Sequence, residues 1–306
     1  MLVHRFAMLT AWATFVLIFA GALVTSTGSG LAVPDWPTTF GYNMFFYPIS
    51  KMVGGIFYEH SHRLIGATVG LLTLGLTVLL WLKEERKWLR WLGIVALCGV
   101  IIQGVLGGLR VIMLQQTLAI VHAGLAQAFF ALTVSLAVFT SQEWTGQSRG
   151  TQRDEPIAEP ETRNPKSDGM EKLRRLCVTT TIFTYLQLIF GAVLTHKGVR
   201  LDAHLFFAVL ILVHVSLLTI KILRNHADHP KLVRPIILLG GCMILQLSLG
   251  VGVYLIRFTT FGLMLSFSVT VVIVTIHRII GAVMFATSLV LTLRIYRLLA
   301  TLRLVT

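Results

Sequence analysis

Residues 61–82 read SHRLIGATVGLLTLGLTVLLWL, and the 19 positions from Leu64 to Leu82 carry no charged side chain. About 20 apolar residues in a helix cross the ~30 Å hydrocarbon core of a bilayer, so this stretch predicts a transmembrane helix. The pattern recurs along the chain. The predicted helices are 6–26, 61–82, 91–110, 117–140, 173–195, 203–221, 235–256 and 268–293. The first part of 258–276 is predicted to be an apolar outer loop or interfacial segment.

The composition places the chain among polytopic membrane proteins in contact with lipid. Of its 306 residues, 55% are apolar and 13% charged, and the mean hydropathy is +0.80. Soluble domains carry about 25% charged residues, and disordered chains have low hydrophobicity. The net charge of +13 lies in short clusters between the apolar stretches. That placement is typical of topology determinants rather than of a nucleic-acid-binding surface.

The basic clusters predict the orientation. If the N-terminus is cytoplasmic, 19 of the 26 Lys and Arg residues fall on the cytoplasmic side. The positive-inside rule therefore predicts a cell (inner) membrane protein with both termini in the cytoplasm.

A polar stretch divides the chain into four helices plus four. Residues 141–172 are rich in Pro, Glu, Arg, Ser and Thr, as flexible linkers are. The segments 1–140 and 173–306 echo each other in sequence. The matching pairs are GALVTSTGSG (21–30) with GAVLTHKGVR (191–200), and IQGVLGG (102–108) with LQLSLGVG (245–252). Each echo alone has a helix-packing explanation, but their shared order favours an internal duplication.

Four histidines lie at matching positions near the outer ends of the even-numbered helices. They are His62, His122, His204 and His277, and each stands 17 to 21 residues before the inner charged boundary. At 1.5 Å per residue this is roughly 25–32 Å, so all four are expected at similar depth near the outer face. An ionisable side chain inside a membrane is a functional candidate.

Two imidazoles from facing helices of a bundle can take both axial positions of a haem iron. Zinc is the alternative metal, but it would need Cys, Asp or Glu partners in a tetrahedral set, and no such cluster is apparent. Interhelical hydrogen bonds are the structural alternative for a single histidine. Four at one depth, two in each half, favour two haem sites.

Three further histidines have weaker signals. His60 is about 200° from His62 around a helix, so the two cannot face one site. His196 is expected either to line a haem edge or to meet water. His214 is expected to be a buried packing residue.

Glu59 and four arginines accompany the histidines. Glu59 precedes His62 by one helical turn and stands four residues before Arg63. Its structural explanation is an ion pair with Arg63 at a helix start. Its functional explanation is proton transfer or charge stabilisation beside a bound macrocycle. The candidate contacts for haem propionates are Arg63, Arg110, Arg257 and Arg278, although snorkelling to the interface gives the same pattern.

Four segments resemble the haem A synthase family, whose members convert haem O to haem A for cytochrome oxidases. The segments are GSGLAVPDWP (28–37), EHSHRLIGATVGLL (59–72), QGVLGGLRV (103–111) and IVHAGLAQAFFAL (120–132). The resemblance is looser in the C-terminal half.

The resemblance implies an all-α fold of two pseudo-symmetric four-helix bundles. It implies substrate haem O between His62 and His122, with Glu59 as the catalytic carboxylate, and a permanent haem b between His204 and His277. The implied reaction oxidises the C8 methyl group of haem O through an alcohol to a formyl group. Haem b would relay electrons, with donor and acceptor unidentified, and haem O synthase would be a partner.

The chain departs from the family pattern in its cysteines. Many members carry a cysteine pair in the loop after the first helix, whereas residues 27–58 contain none. Cys98, Cys177 and Cys242 lie in or beside apolar spans, so no disulfide framework is predicted. The loop is therefore expected to fold by Pro34, Pro37 and aromatic packing alone.

Two other functions fit part of this pattern. A di-haem b-type electron carrier also needs two histidine pairs, but usually stacks them across the membrane. A haem-handling protein would leave haem unmodified and would not need Glu59.

Overall fold

Eight long helices dominate the computed structural model, which describes residues 1–145 and 165–305. All eight are long and apolar enough to cross a membrane, as predicted. In chain order the helices are α1 (Leu2–Ser26), α2 (Gly55–Lys83), α3 (Lys87–Met113), α4 (Gln116–Phe139), the short α5 (Gln142–Thr145), α6 (Pro165–Lys197), α7 (Leu201–Asn225), α8 (Pro230–Phe258) and α9 (Phe267–Val305). Between 17% and 39% of each membrane-crossing window is buried inside the molecule. Most residues of each window therefore keep some exposed surface, as helices in contact with lipid do.

Several helices begin earlier than predicted. Helix α2 starts at Gly55 rather than at residue 61, which places the whole Glu59–His62 turn on regular helix. Helix α6 starts at Pro165, inside the stretch predicted as a linker, and residues 146–164 of that stretch lie outside the described residues. A 3₁₀ turn at Thr260–Met264 separates α8 from α9, so the segment before the last helix is not a ninth span, and its outer position stays a prediction.

Helix α8 continues through a proline near its start. Pro235 cannot donate a hydrogen bond to the carbonyl of Lys231, one turn earlier. That carbonyl instead accepts a 2.8 Å bond from the guanidinium of Arg294 on α9. The proline is thus accommodated by a cross-link between two helices.

The helices pack in the same order in each half. Neighbours along the chain contact each other, and the first helix closes the ring by contacting the fourth: α1 with α4, and α6 with α9. Each half has its own buried apolar cluster, one centred on Leu76, Leu80 and Leu136, the other on Leu218, Ile236 and Leu291. This packing supports the interpretation as two four-helix bundles.

The halves meet through α1, α4, α6 and α9. At the histidine end, Arg278 of α9 donates to the Ser26 hydroxyl (2.7 Å) at the end of α1. Nearer the middle, the Tyr185 hydroxyl of α6 donates to the Gly124 carbonyl of α4 (3.2 Å). We call the end that carries Met1 and Thr301 the terminal end, and the opposite one the histidine end.

The loop between α1 and α2 contains a small hairpin, in which β1 (Thr38–Thr39) pairs antiparallel with β2 (Tyr42–Asn43). Its two turn residues, Phe40 and Gly41, both have positive φ (50° and 76°), as a type I′ turn requires. The Asp35 carboxylate accepts hydrogen bonds from both turn amides, at 2.7 and 2.9 Å. These bonds stabilise the left-handed backbone at Phe40.

Candidate functional site

The four histidines form two pairs at the histidine end, one pair in each half. The rings of His204 and His277 have centroids 6.5 Å apart, with their planes at 63°. His62 and His122 are close enough to interact electrostatically. The structure therefore brings together both pairs that the sequence predicts.

A glycine on the preceding helix packs against each of these imidazoles. The glycine–histidine contacts are Gly21 with His62, Gly107 with His122, Gly191 with His204, and Gly250 with His277. A Cβ atom at any of the four glycines would lie 3.1–3.4 Å from the Cε1 atom of its histidine. A glycine at each of these positions lets the imidazole ring pack directly on the helix backbone. A larger residue would push the ring away from its present position.

One edge of each ring is buried while the rest is partly accessible. The Nδ1 atoms of all four histidines are buried with no hydrogen-bond partner within ordinary geometry. Each ring interacts with the main chain of the residue one turn before its glycine; these residues are Leu17, Gln103, Gln187 and Gln246. A metal-ligating histidine usually turns one nitrogen to such a carbonyl and the other to the metal. Metal ligation through Nε2, which in His204 and His277 faces a glutamine side chain, stays a prediction.

Three glutamines in these positions were not singled out by the sequence as site residues. Gln187 and Gln246 place their Nε2 atoms 3.3 and 3.5 Å from Nε2 of His204 and His277. Gln103 instead donates to the main-chain carbonyl of His122, at 3.2 Å. The repeated Gln-x-x-x-Gly spacing was the available signal, but small-residue packing also explains it.

The donor set of the C-terminal pair fits a haem iron better than zinc. Two metal–nitrogen bonds of about 2 Å leave the centres of two opposed imidazoles about 6 Å apart, close to the observed 6.5 Å. Within residues 1–145 and 165–305, no group of three or more His, Cys, Asp or Glu side chains could hold a metal. Two histidines alone suit a centre whose other four ligands come from a macrocycle.

Glu59 is buried beside the N-terminal pair. Its side chain is 5% exposed, and one oxygen accepts a 2.8 Å bond from Arg63. The other oxygen accepts a 3.0 Å bond from the backbone N–H of Val33 in the first loop. The ion pair expected from the sequence is therefore present, and a second contact ties the carboxylate to the loop.

Arg63 holds the same loop from the other side. Its guanidinium donates to the carbonyls of Val33 (2.9 Å), Asp35 (2.7 Å) and Thr38 (3.1 Å), besides Glu59. The expectation that prolines and aromatic packing alone fold this loop is therefore wrong, because charged side chains of α2 also bind its backbone. These bonds give Arg63 a structural role, and its contact with a propionate stays a prediction.

The other three arginines lie in different surroundings. Arg110 packs its guanidinium against Gly30 and interacts with the charge of Glu59. Among the described residues, Arg278 donates to three neutral groups, Ser26 Oγ, the Ala22 carbonyl and Thr195 Oγ1. Arg257 is exposed and lines a cleft beside the 3₁₀ turn. Their contact with propionates also stays a prediction.

His196 lies between the two halves at the histidine end. It interacts electrostatically with Arg110 of the N-terminal half and with Arg257 and Arg278 of the C-terminal half. Both histidine pairs are therefore bordered by one shared cationic region.

The remaining histidines have structural roles. His60 turns away from His62 and bonds Thr39 Oγ1 at 3.1 Å, as expected from its angle on the helix. His214 bonds the carbonyl of Leu210 at 2.8 Å and packs edge-on against Phe183, but it is half-buried rather than buried as expected.

Comparison with known proteins places these residues in a family context. The family model COX15-CtaA, described as cytochrome oxidase assembly protein, matches residues 42–203. The chain is 31% identical over 135 residues to "Heme A synthase" of Shouchella clausii, which covers 43% of this chain and 44% of that protein. It is 33% identical over 140 residues to "Heme A synthase" of Bacillus licheniformis (43% and 44%).

A longer match extends into the C-terminal half. "Heme A synthase" of Geobacillus kaustophilus is 25% identical over 204 residues, covering 64% of this chain and 57% of that protein. In these matches the chain spans about half the length of the curated relatives.

Proposed function

We propose that this chain, which belongs to the COX15-CtaA family of cytochrome oxidase assembly proteins, is a haem A synthase. It oxidises the C8 methyl group of haem O, through an alcohol, to the formyl group of haem A. The curated relatives named above carry that name.

The observation that carries the proposal is a difference between two otherwise similar sites. Each half has a histidine pair packed on glycines, but only the N-terminal half has a buried carboxylate one turn before its first histidine. Glu59 stands three residues before His62, whereas Leu201 stands three residues before His204. A binding protein for two haems has no need of this asymmetry, and an enzyme that modifies one of them does.

The N-terminal half is the proposed substrate domain. Residues 1–140 would hold haem O between His62 and His122, with Arg110 beside its propionates. Glu59 lies on the helix that carries His62, so its carboxylate is positioned by the same backbone. A carboxylate there stabilises positive charge on the reacting carbon or accepts its proton.

Arg63 and Val33 act on Glu59 rather than on the substrate. Their hydrogen bonds hold both carboxylate oxygens in place. The loop that supplies Val33 also covers this end of α2, so water has limited access to Glu59, which is 4% exposed. A carboxylate fixed in a dry site needs little reorganisation when charge develops nearby.

The C-terminal half is the proposed cofactor domain. Residues 173–306 would hold haem b through His204 and His277, with Arg257 and Arg278 as propionate contacts. Haem b supplies one-electron redox chemistry when bound. The stretch 141–172 connects the two halves on the cytoplasmic side.

The orientation follows from the charge distribution. The chain is proposed to span a cell (inner) membrane with both termini on the cytoplasmic side and both histidine pairs towards the outer face. A haem O synthase is the proposed supplier of substrate, because haem O is poorly soluble in water.

The test is haem extraction and chromatography from cells that co-express this chain with a haem O synthase. Wild type is expected to give haem A or its alcohol precursor, and Glu59→Ala only haem O and haem B. The control variant is Glu84→Ala, which removes an arginine-paired carboxylate (2.7 Å from Arg86) at the terminal end. It should leave haem A formation unchanged.

Three outcomes would change this interpretation in different ways. Haem A from Glu59→Ala would make Glu59 structural. Unmodified haem alone from wild type would favour an electron carrier or a haem-handling protein. Loss of haem A from Glu84→Ala as well would show that the assay reports folding rather than chemistry.

A further inference from the structure

A large cavity separates the two halves at the terminal end. It has a volume of about 1770 Å³, more than the roughly 300–1,000 Å³ of ordinary small-molecule sites. Its walls come from α1 and α4 on one side and from α9 on the other. The halves contact each other near the histidine end and at mid-depth. The cavity therefore widens from mid-depth towards the terminal end, and we call it the wedge.

The deep part of the wedge is apolar. One face of each helix lines it, and the side chains there are Trp12, Phe15, Phe130, Val134, Val283 and Val290. Water inside such a space would lose hydrogen bonds at a cost in free energy. Hydrocarbon chains can fill the space without this cost.

The mouth of the wedge is basic. Six Lys and Arg side chains line it, against three carboxylates: Arg5, Lys83, Arg86, Lys231, Arg294 and Arg297 face Glu84, Glu85 and Glu143. Two of the carboxylates are already paired, Glu84 with Arg86 (2.7 Å) and Glu143 with Lys231 (3.7 Å).

Three arginines at the mouth have no carboxylate partner among the residues that the structure describes. Within the described residues, no carboxylate oxygen lies within 4.0 Å of Arg5, Arg294 or Arg297. Arg294 bonds a main-chain carbonyl and Arg297 lies 5.9 Å over the Trp144 ring, and neither neutral partner compensates a positive charge. Arg5 comes from the N-terminal half and the other two from the C-terminal half.

We propose that this wedge binds one anionic glycerophospholipid, with its acyl chains between α1, α4 and α9 and its phosphate among Arg5, Arg294 and Arg297. Basic pockets between transmembrane helices on the cytoplasmic side are typical sites for anionic lipid head groups. The lipid adds to the contacts of Glu143 with Lys231 and of Trp144 with Arg297 at this end of the molecule. The site is separate from both histidine pairs and does not depend on haem chemistry.

The experiment measures lipid binding to the purified full-length protein by native mass spectrometry. Dioleoyl phosphatidylglycerol and dioleoyl phosphatidylcholine are titrated separately into delipidated protein in neutral detergent. Wild type is expected to retain one phosphatidylglycerol and to bind phosphatidylcholine far more weakly. Each basic residue near a lipid surface contributes about fivefold in affinity, so Arg294→Gln with Arg297→Gln should weaken phosphatidylglycerol binding about thirtyfold.

A matched control removes the same charge from the same end of the molecule. Lys221→Gln with Arg224→Gln changes two exposed residues of α7 that do not line the wedge, and it should leave binding unchanged. A second variant, Ala286→Phe, fills the apolar part without altering charge and should also exclude the lipid. It keeps the proposal testable if the arginine variant folds poorly.

Three results would overturn the proposal. They are equal affinity for both lipids, unchanged phosphatidylglycerol binding in both wedge variants, and a retained species that is not a phospholipid, such as a quinone.

Discussion

The N-terminal and C-terminal histidine pairs share their local packing but differ in what surrounds them. In both halves a glycine of the preceding helix fixes each imidazole. Around His62 the chain adds a buried carboxylate and a folded loop bound to it through Arg63 and Val33. Around His204 the helices are joined by a short connection near Gly198, and the acidic residue nearest in sequence, Asp202, has a side chain that is 74% exposed.

This difference between the two histidine pairs indicates which half is expected to carry out the reaction. A cofactor site needs ligands that are held in position, and the C-terminal half has a histidine pair packed on glycines. A reaction on the macrocycle needs a fixed polar group and exclusion of water. Glu59 and the loop add these features to the N-terminal half alone.

The largest expected effect separates the two histidine pairs directly. His204→Ala should reduce the haem b that copurifies with the protein more than about tenfold, since it removes an axial ligand. His62→Ala should keep that haem but abolish haem A formation. The pyridine haemochrome spectrum of purified protein measures the first effect, and chromatography of extracted haem measures the second. If His62→Ala loses the copurifying haem and His204→Ala keeps it, the two domains are assigned in reverse.

The next effect concerns the loop. Arg63→Gln leaves Glu59 buried without its cation and should destabilise the loop by about 3 kcal/mol. Hydrogen exchange of peptides covering residues 33–41 should then accelerate, while peptides of the C-terminal half are unchanged.

The control for the loop variant is Arg86→Gln, which breaks an ion pair at the terminal end where the arginine side chain is 27% exposed. It should cost about 1 kcal/mol or less and leave loop exchange unchanged. Equal hydrogen-exchange rates of the loop peptides in wild type and Arg63→Gln would mean that the loop does not need the hydrogen bonds of Arg63.

Glycine substitutions should have a smaller, half-specific effect. Gly107→Ala and Gly191→Ala each bring a methyl group 3.3 Å from a histidine Cε1. Overpacking of this kind costs about 1–3 kcal/mol. Gly107→Ala should lower haem A formation, and Gly191→Ala should weaken haem b retention. At Gly104 and Gly241, no atom outside the adjoining helix backbone lies within 4 Å of an added Cβ. Gly104→Ala and Gly241→Ala should therefore change neither haem A formation nor haem b retention. A Gly191→Ala protein that keeps its haem fully would argue against ring positioning by this contact.

The smallest effect is a pH dependence of the loop. Burial raises the pKa of Asp35, but hydrogen bonds from Gly41, Thr38 and Phe40 together outweigh it, so the pKa lies below its ordinary value. The folded loop therefore favours the carboxylate. This contribution is complete at neutral pH and is lost as the pH falls below about 4 and through the folded pKa.

Asp35→Asn should mimic that loss at neutral pH. Exchange of the Phe40 and Gly41 amides should accelerate by roughly tenfold or less. Wild-type protection should fall towards the variant's value at low pH, whereas the variant should show no such change. Identical pH profiles would exclude Asp35 as the titrating group.

Much of the candidate site could be predicted from the sequence, because a membrane restricts the length and composition of the helices that cross it. The histidine positions follow from helix length, since a residue's distance from a charged boundary gives its depth. The Glu59–Arg63 pair follows from helical spacing. In contrast, the bond from Val33 to Glu59 joins positions 26 residues apart, and no local pattern encodes such a contact.

The sequence by itself determined the eight long apolar helices, and it predicted the matched depth of four histidines and the division into two halves. Those features depend on hydropathy and on helical rise, which act along the chain. Only the tertiary structure decided that glycines 21, 107, 191 and 250 meet the four imidazoles, and that a wedge with a basic mouth lies between α1, α4 and α9. Those features depend on how separate helices approach each other, because apolar surfaces of similar composition can face either lipid or protein.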